Sequence, residues 1–521
     1  MCVSIIASVI ILLASIYAAR IFLKRNPAPL PPGPKGKPIV GNIADLAKPG
    51  EQEWKHWLKF KDEYGPISSI TVLGQTIVII NEAQAAVDLL EKRSGTHSSR
   101  PRMVFAGELV GWVRGLAMLS YSDRLRAYRK LLHRALGTKA AVSRYSALQD
   151  VEVRRFLLRV MRKPQDLVQH IRTETGAVIL KISYGYTIEP HGNDPLVDLV
   201  NQSMDEFSFA ATPGKWLVDF MPILKYVPSW FPGAEFKRKA KAWNKNVQGT
   251  IDVPYAFVQE QMKKGKYEPS YLSSLLEDGL PAKDSEEEIV IKNSAMSLYA
   301  GGADTTVSSL ACFFLAMALY PDVQRKAQEE IERVVGTDRL PVPEDQDNLP
   351  YINAIVKEVL RWHPVAPMGL PHTSTADDTY RGYHIPKGSM VLVNIWALLH
   401  DPAVYHDPMD FKPERFLGST PEPDPHNISF GYGRRVCPGK YLADATVFLT
   451  IAKSLAAFII SKPVEYGKEV DITPEFLPGV ISHPAPFNLS IKPRSAKHEE
   501  LVKLVETEHP WEESHASLLS M

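Results

Sequence analysis

The chain has 521 residues, 45% of them hydrophobic and 23% charged, the proportions of an ordinary globular protein, which exclude wholesale disorder, a collagen-like fibre and a many-span transporter. Its 60 Lys and Arg stand against 59 Asp and Glu, a formal charge of +1, and this removes the broad cationic field on which nonspecific nucleic-acid binding depends. The three cysteines, Cys2, Cys312 and Cys437, are too few for a disulfide scaffold or a four-thiolate zinc site and fit a reducing compartment.

Residues 1–23 read as an N-terminal membrane anchor. Residues 3–19 carry no charge, and Ile21, Phe22 and Leu23 extend the apolar run past Arg20, towards the ~20 residues a spanning helix needs. A cleaved signal peptide is the rival reading. It is disfavoured because no basic residue precedes the run and Tyr17-Ala18-Ala19 is a poor small-residue cleavage site. Arg20, Lys24, Arg25, Lys35 and Lys37 follow the span, as on cytoplasmic flanks, so the body is expected in the cytosol. Residues 24–50 form a basic and Pro-rich linker, in which Pro27, Pro29, Pro31, Pro32 and Pro34 fix φ, remove backbone donors and stiffen the connection.

Residues 51–494 show no long Gly/Ser linker, no repeat and no composition shift, and read as one large domain. Alternation over 67–81 predicts a β-hairpin turning at Gly74-Gln75, and a further short strand is expected at 390–394. Helical patterns cover 82–92, 122–135, 151–162, 322–335, 352–362 and 441–460. The class is mainly α with a minor β part. A polar tail, 495–521, follows.

The longest predicted helix, 285–320, opens with Ser285 and Glu288 as a capping box and stops before Pro321. It is apolar on most sides, which also describes a second membrane span or a plain core helix. The lone Asp304 makes the lipid reading expensive. Gly301-Gly302 before that acid and Thr305-Thr306 after it are poor helix formers in what should be a buried helix.

Near the C-terminus, Phe430-Gly431-Tyr432-Gly433-Arg434-Arg435-Val436-Cys437-Pro438-Gly439 leads into an apolar helix. A cysteine ahead of a helix N-terminus is favoured as thiolate by the free amides, the dipole and a neighbouring arginine. Glycines at 431, 433 and 439 admit something flat and bulky. With no partner cysteines or His pair nearby, the single thiolate suits haem iron better than zinc. A phosphate loop over 433–440 is ruled out by its spacing and by Tyr441, where Ser or Thr is required. A dinucleotide fold lacks its third glycine, so reducing equivalents must come from another protein.

This segment resembles the signature Phe-x-x-Gly-x-Arg-x-Cys-x-Gly of the cytochrome P-450 haem-thiolate monooxygenases. Ala300 to Thr306, Glu358-x-x-Arg361 and Phe411-Lys-Pro-Glu-Arg415-Phe416 fall in that family's order. Residues 230–243 further resemble its fungal natural-product branch, which includes O-methylsterigmatocystin oxidoreductase-like enzymes and tryptamine hydroxylases. The resemblance implies the P-450 fold with one N-terminal transmembrane helix, and haem b on Cys437 within a cradle that includes Phe430 and Gly439. It implies propionate contacts at Arg129, His372 and Arg435, a structural ion-pair network of Glu358, Arg361 and Arg415, and proton delivery by Asp304 and Thr305. One departure is Leu125, where the family commonly has Trp four residues before the arginine at 129.

The expected activity is oxidation of a lipophilic secondary metabolite, a terpenoid intermediate first and an aromatic alkaloid or polyketide second. An O2-independent haem-thiolate isomerase or dehydratase and a noncatalytic hydrophobic-ligand binder are the alternatives. Electrons are expected from an NADPH-cytochrome reductase, with cytochrome b5 as a second donor, on a face carrying Arg126, Lys130, Arg134, Arg434 and Lys440. The expected site is the endoplasmic reticulum membrane. The pocket is expected around Met103, Phe105, Leu109, Trp112, Phe207, Phe209, Leu298, Ala300, residues 365–370, Val480 and Ile481. Residues 216–230 are expected to dip into the bilayer.

Overall fold

The computed structural model describes residues 28–48 and 50–519; the expected anchor, its flank at Arg20, Lys24 and Arg25, and Cys2 lie outside the described residues. Helix α1 (Glu53–Tyr64) leads into strands β1 (Ile67–Val72) and β2 (Gln75–Ile80). Their register pairs Ile67 with Ile80 and Val72 with Gln75. The turn is therefore Leu73-Gly74, one residue earlier than the pattern predicts. Both residues have positive φ, 48° and 86°, the combination a two-residue hairpin turn requires, which Gly meets without a Cβ clash.

Seven longer helices follow: α2 (Asp123–Leu136), α3 (Ser146–Arg162), α4 (Leu167–Tyr184), α5 (Pro195–Ala210), α6 (Glu235–Lys263), α7 (Glu286–Ala303) and α8 (Thr305–Leu319). Their starts follow local chemistry. The Ser122 hydroxyl accepts from the Leu125 amide, and the Asp194 carboxylate accepts from those of Leu196 and Val197, each satisfying otherwise orphaned donors. Ser285 caps α7 through the Glu288 amide, but the Glu288 carboxylate turns to the Asp284 amide at 2.6 Å, so the expected capping box is only half formed.

The single helix expected over 285–320 is two. Asp304, at φ −113° and ψ −32°, separates α7 from α8, and Thr305 returns its hydroxyl to the Gly301 carbonyl at 2.8 Å. The apolar length from Glu286 to Leu319 is a core element: its most apolar stretch is 83% buried inside the protein.

Helices α9 (Pro321–Val334) and α10 (Pro350–Trp362) precede strands β3 (His372–Thr373) and β4 (Met390–Val393). The sheet order is β1-β2-β4-β3, with β2 and β4 parallel and the other neighbours antiparallel. Its Ile and Val side chains are buried on both faces, as a covered parallel pair demands. Helix α11 (Lys440–Ala457) stops three residues short of its predicted end, because Phe458–Ser461 becomes a strand paired with Ser490–Pro493. Phe458-Ile459-Ile460 suits a pleated surface better than a helix end.

The tail is ordered over the described residues. Helix α12 (Ala496–Lys503) packs on α3 and α11. Beyond it the Trp511 ring lies under the guanidinium groups of Arg155 and Arg159 at 4.8 and 5.3 Å. Glu512 meets Lys181 at 2.7 Å, and the backbones of Thr187 and His515 are tied at 3.0 Å.

Candidate active site

A cavity of about 380 Å3 lies between α7, α8, α11 and the loops that join them to the sheet. Cys437 sits at one end. Its backbone amide donates to the Phe430 carbonyl at 2.8 Å, and the Arg435 and Val436 amides close back onto Tyr432 and Gly433, so the loop is shaped by its own hydrogen bonds. A Cβ on Gly439 would stand 3.9 Å from the Cys437 sulfur, whereas one on Gly433 would lie 2.5 Å from the Leu90 carbonyl oxygen. Of the three loop glycines, Gly431 and Gly439 therefore face the cavity, and Gly433 is needed for the protein's own packing at φ +52°.

Burial pushes the Cys437 thiol up, opposed by the Gly439 amide and by Arg129 and Lys440. Desolvation thus opposes the thiolate that the free amides, the dipole and the neighbouring cations favour, and a cation bound at the sulfur would favour it further.

Beside the thiol, three guanidinium groups converge with no carboxylate partner among the described residues. Arg129 donates to the Val436 carbonyl at 3.0 Å. Arg435 donates to the carbonyls of Ser98 and Leu119, both within 2.7 Å. Arg100, absent from the sequence reading, donates to the carbonyls of Ala117, Leu370 and Pro371 within 2.8 Å. Burial lowers Arg100 well below the ordinary arginine value, with repulsion from Arg435 adding to it; Arg435 is pushed down to about 10 by burial and by Arg129. Buried cations paired only with neutral carbonyls are costly, so the chemistry of this corner calls for a group with more than one negative charge. His372 joins it, its Nδ1 2.7 Å from the His97 carbonyl. A thiol on one side and a rim of unpaired cations fit an iron porphyrin with two carboxylates.

Leu125 points elsewhere. It is fully buried against Leu119 and Tyr128 and does not line the cavity.

Opposite the thiol, Gly301, Gly302, Thr305 and Thr306 line the cavity. Gly301 opens onto free space, while a Cβ on Gly302 would meet Ile179 at 2.7 Å, so the second glycine also lets α7 approach α4. Asp304 is 2% exposed and does not line the cavity. The wall is completed by Trp112, Phe207, Leu298, Ala300, Val365, Leu370, Val480 and Ile481, as expected. Met103, Phe105, Leu109 and Phe209 are not part of it. Phe105 stacks on Trp216 at 3.5 Å, and Phe209 lies 41% exposed beneath Lys215. Apolar character in these loops marks packing as readily as a wall, and spacing alone does not separate the two.

Glu358 is fully buried and accepts from Arg361 at 2.7 Å and from Arg415 at 3.2 Å. Arg415 also meets Glu422 at 2.7 Å, a fourth member that the Glu-x-x-Arg motif gives no sign of. The face expected to meet a reductase carries Arg126, Lys130, Arg134 and Arg434 exposed and Lys440 half-buried.

A family model described as Cytochrome P450 matches residues 31–491. The chain is 54% identical over 496 residues to cytochrome P450 monooxygenase ppsD of Aspergillus oryzae, covering 94% of each chain. It is 52% identical over 484 residues to cytochrome P450 monooxygenase claR of Ampulloclitocybe clavipes, covering 92% of this chain and 89% of that one. It is 45% identical over 495 residues to O-methylsterigmatocystin oxidoreductase of Aspergillus flavus, covering 94% and 93%.

Proposed function

We propose that this chain, which belongs to the cytochrome P450 family, is a membrane-tethered monooxygenase that uses O2 and NADPH-derived electrons to oxidise a lipophilic secondary metabolite. The family's cofactor is haem b held through a cysteine thiolate, and Cys437 is that ligand. When bound, the haem supplies dioxygen activation, favoured by the electron-rich thiolate. The chain's residues do the rest. Arg100, Arg129, Arg435 and His372 hold the propionates, Phe430 and Gly439 shape the cradle, and Glu358, Arg361 and Arg415 fix the chain behind it. Thr305 offers a hydroxyl at the cavity wall, with Asp304 next to it as the source of protons. The apolar wall orients the substrate and excludes water.

The observation that carries this reading is the convergence of one thiol and three unpaired guanidinium groups at the end of a mainly apolar cavity. A terpenoid intermediate is the first substrate class, in keeping with that wall. An aromatic alkaloid or polyketide is the second, favoured by the Trp112 and Phe207 rings, which meet in the wall at 4.8 Å. Residues 1–23 anchor the chain in the endoplasmic reticulum membrane, 24–50 link it to the catalytic domain at 51–494, and 495–521 are its polar C-terminal tail. An NADPH-dependent reductase docks on the basic cysteine-loop face. Deleting the gene and profiling metabolites tests the substrate: a lipophilic precursor should accumulate as an oxygenated product disappears, and an unchanged profile contradicts the reading. Product formed without NADPH would point instead to an isomerase or dehydratase.

A further inference from the structure

Asp304 has the wrong surroundings for an acid that works alone. One carboxylate oxygen, Oδ1, is buried with no protein partner; the other, Oδ2, lies 3.1 Å from Nε2 of His483. An uncompensated carboxylate so buried is heavily penalised, and the imidazole is the group that compensates it. His483 keeps 19% of its side chain exposed, so it touches both the buried acid and water.

Its position is fixed from several directions. The His483 carbonyl accepts from the Leu477 amide at 2.8 Å. The preceding residue, Ser482, is held by the Ser308 hydroxyl on α8 at 2.6 Å, by His363 at 2.8 Å and by the Val365 carbonyl at 2.9 Å. The same turn carries the cavity residues Val480 and Ile481. Outside it, Asp205 on α5 is exposed and stands 4.0 Å from Arg172 on α4. Burial raises the Asp205 carboxyl; Arg172 lowers it, Asp304 raises it and His483 lowers it again, so these four charges share one field. The partly exposed His483 thus meets the buried Asp304, whose neighbour in sequence, Thr305, lines the cavity.

We propose that His483 is the positioning residue that holds Asp304 and reloads it with protons from solvent. The proposal rests on the monooxygenase reading, in which a substrate C–H, one O2, two electrons from the reductase and two protons give an alcohol and water. In each reload the Nε2–H bond of the imidazolium breaks and an O–H bond forms at Asp304 Oδ2. The neutral imidazole regains a proton from water, and Asp304 passes its own towards the Thr305 side. His483 does not line the cavity.

The test is His483→Gln, whose amide N–H still reaches towards Asp304 but which cannot relay a proton. It uses reconstituted holoenzyme with reductase, NADPH and 7-ethoxycoumarin as the probe. NADPH-driven turnover should fall about tenfold, less than the ~10²–10⁴-fold typical of a direct acid–base group, and hydrogen peroxide released per NADPH should rise. Turnover driven by added hydrogen peroxide, which brings its own two protons and two electrons, should not change. Independently of turnover, His483→Gln should lower the thermal midpoint, and adding Asp304→Asn should restore it. Unchanged peroxide release per NADPH overturns the proposal, as does an equal loss in both modes. Should His483→Gln alone not fold, adding it to Asp304→Asn should cause no further uncoupling, and an added loss overturns the proposal. A carbon monoxide spectrum of the same wild-type sample separates the failures: no thiolate-type band defeats the monooxygenase reading, and a normal band with unchanged coupling defeats only the role of His483.

Discussion

Arg100 shows what a side chain gains from neighbours hundreds of positions away. It sits beside Arg435 and donates to the carbonyl of residue 371, and nothing local in Ser98-Ser99-Arg100-Pro101 marks it. Cys437 and Arg435 stand in the cysteine-loop motif and Arg129 at a family position whose usual Trp is Leu125 here; Arg100 and Glu422 have no such marker, because their surroundings are set entirely by tertiary contact. Arg100→Leu should leave the chain folded but weaken haem retention by about 10- to 100-fold, the range for groups that orient a metal site, read as haem per chain after gel filtration. Full occupancy would remove Arg100 from the rim. Glu358 gives a stability prediction. With one buried carboxylate accepting from two arginines and the Lys412 amide, Glu358→Gln leaves buried cations short of a counter-charge and should cost about 3–5 kcal/mol, measured by denaturant unfolding.

At the scale of elements, helix existence was legible from apolar periodicity and caps, while ends and breaks were not. Asp304, where the long helix breaks, meets a histidine 179 positions later, and α11 ends where Phe458 finds a strand partner near residue 493. The short helix His426–Ser429 before the cysteine loop carries a pH-dependent contribution. Burial opposes a charge on His426, but hydrogen bonds with Asp424 and Asp444 at 2.6 and 2.8 Å outweigh it and raise its pKa from 6.5 to about 9. A pKa raised on folding stabilises fully below the unfolded value and progressively less above it. The advantage of wild type over His426→Gln in thermal midpoint should therefore be complete below pH 6.5 and gone by about pH 9. An advantage that grows with pH would contradict the pairing.

At the scale of the whole molecule, the mainly α class with its small sheet was legible from composition and periodicity, and the family from one loop. The tail was not. Its ties, Glu506 to Arg162 at 2.6 Å, Glu508 to Arg154 and Trp511 over Arg155, join residues 344 or more positions apart, which the sequence reads only as a polar tail and a distant helix. The stretch expected to meet the bilayer does leave Ile223, Tyr226 and Trp230 more than two-thirds exposed, with Phe231 beside them at 50%, an apolar patch of the kind that lies in an interface. Trp230→Glu with Phe231→Glu, made in a chain lacking residues 1–27, should reduce binding to phosphatidylcholine vesicles in a flotation assay; equal flotation would place the contact elsewhere. The central claim is that Cys437 ligates haem iron in the cavity described. The most direct measurement is the absorption spectrum of dithionite-reduced protein with and without carbon monoxide, beside Cys437→Ala. A red-shifted thiolate-type Soret band, present in wild type and lost in the variant, is the predicted result; a well-folded wild type without that band would contradict the account.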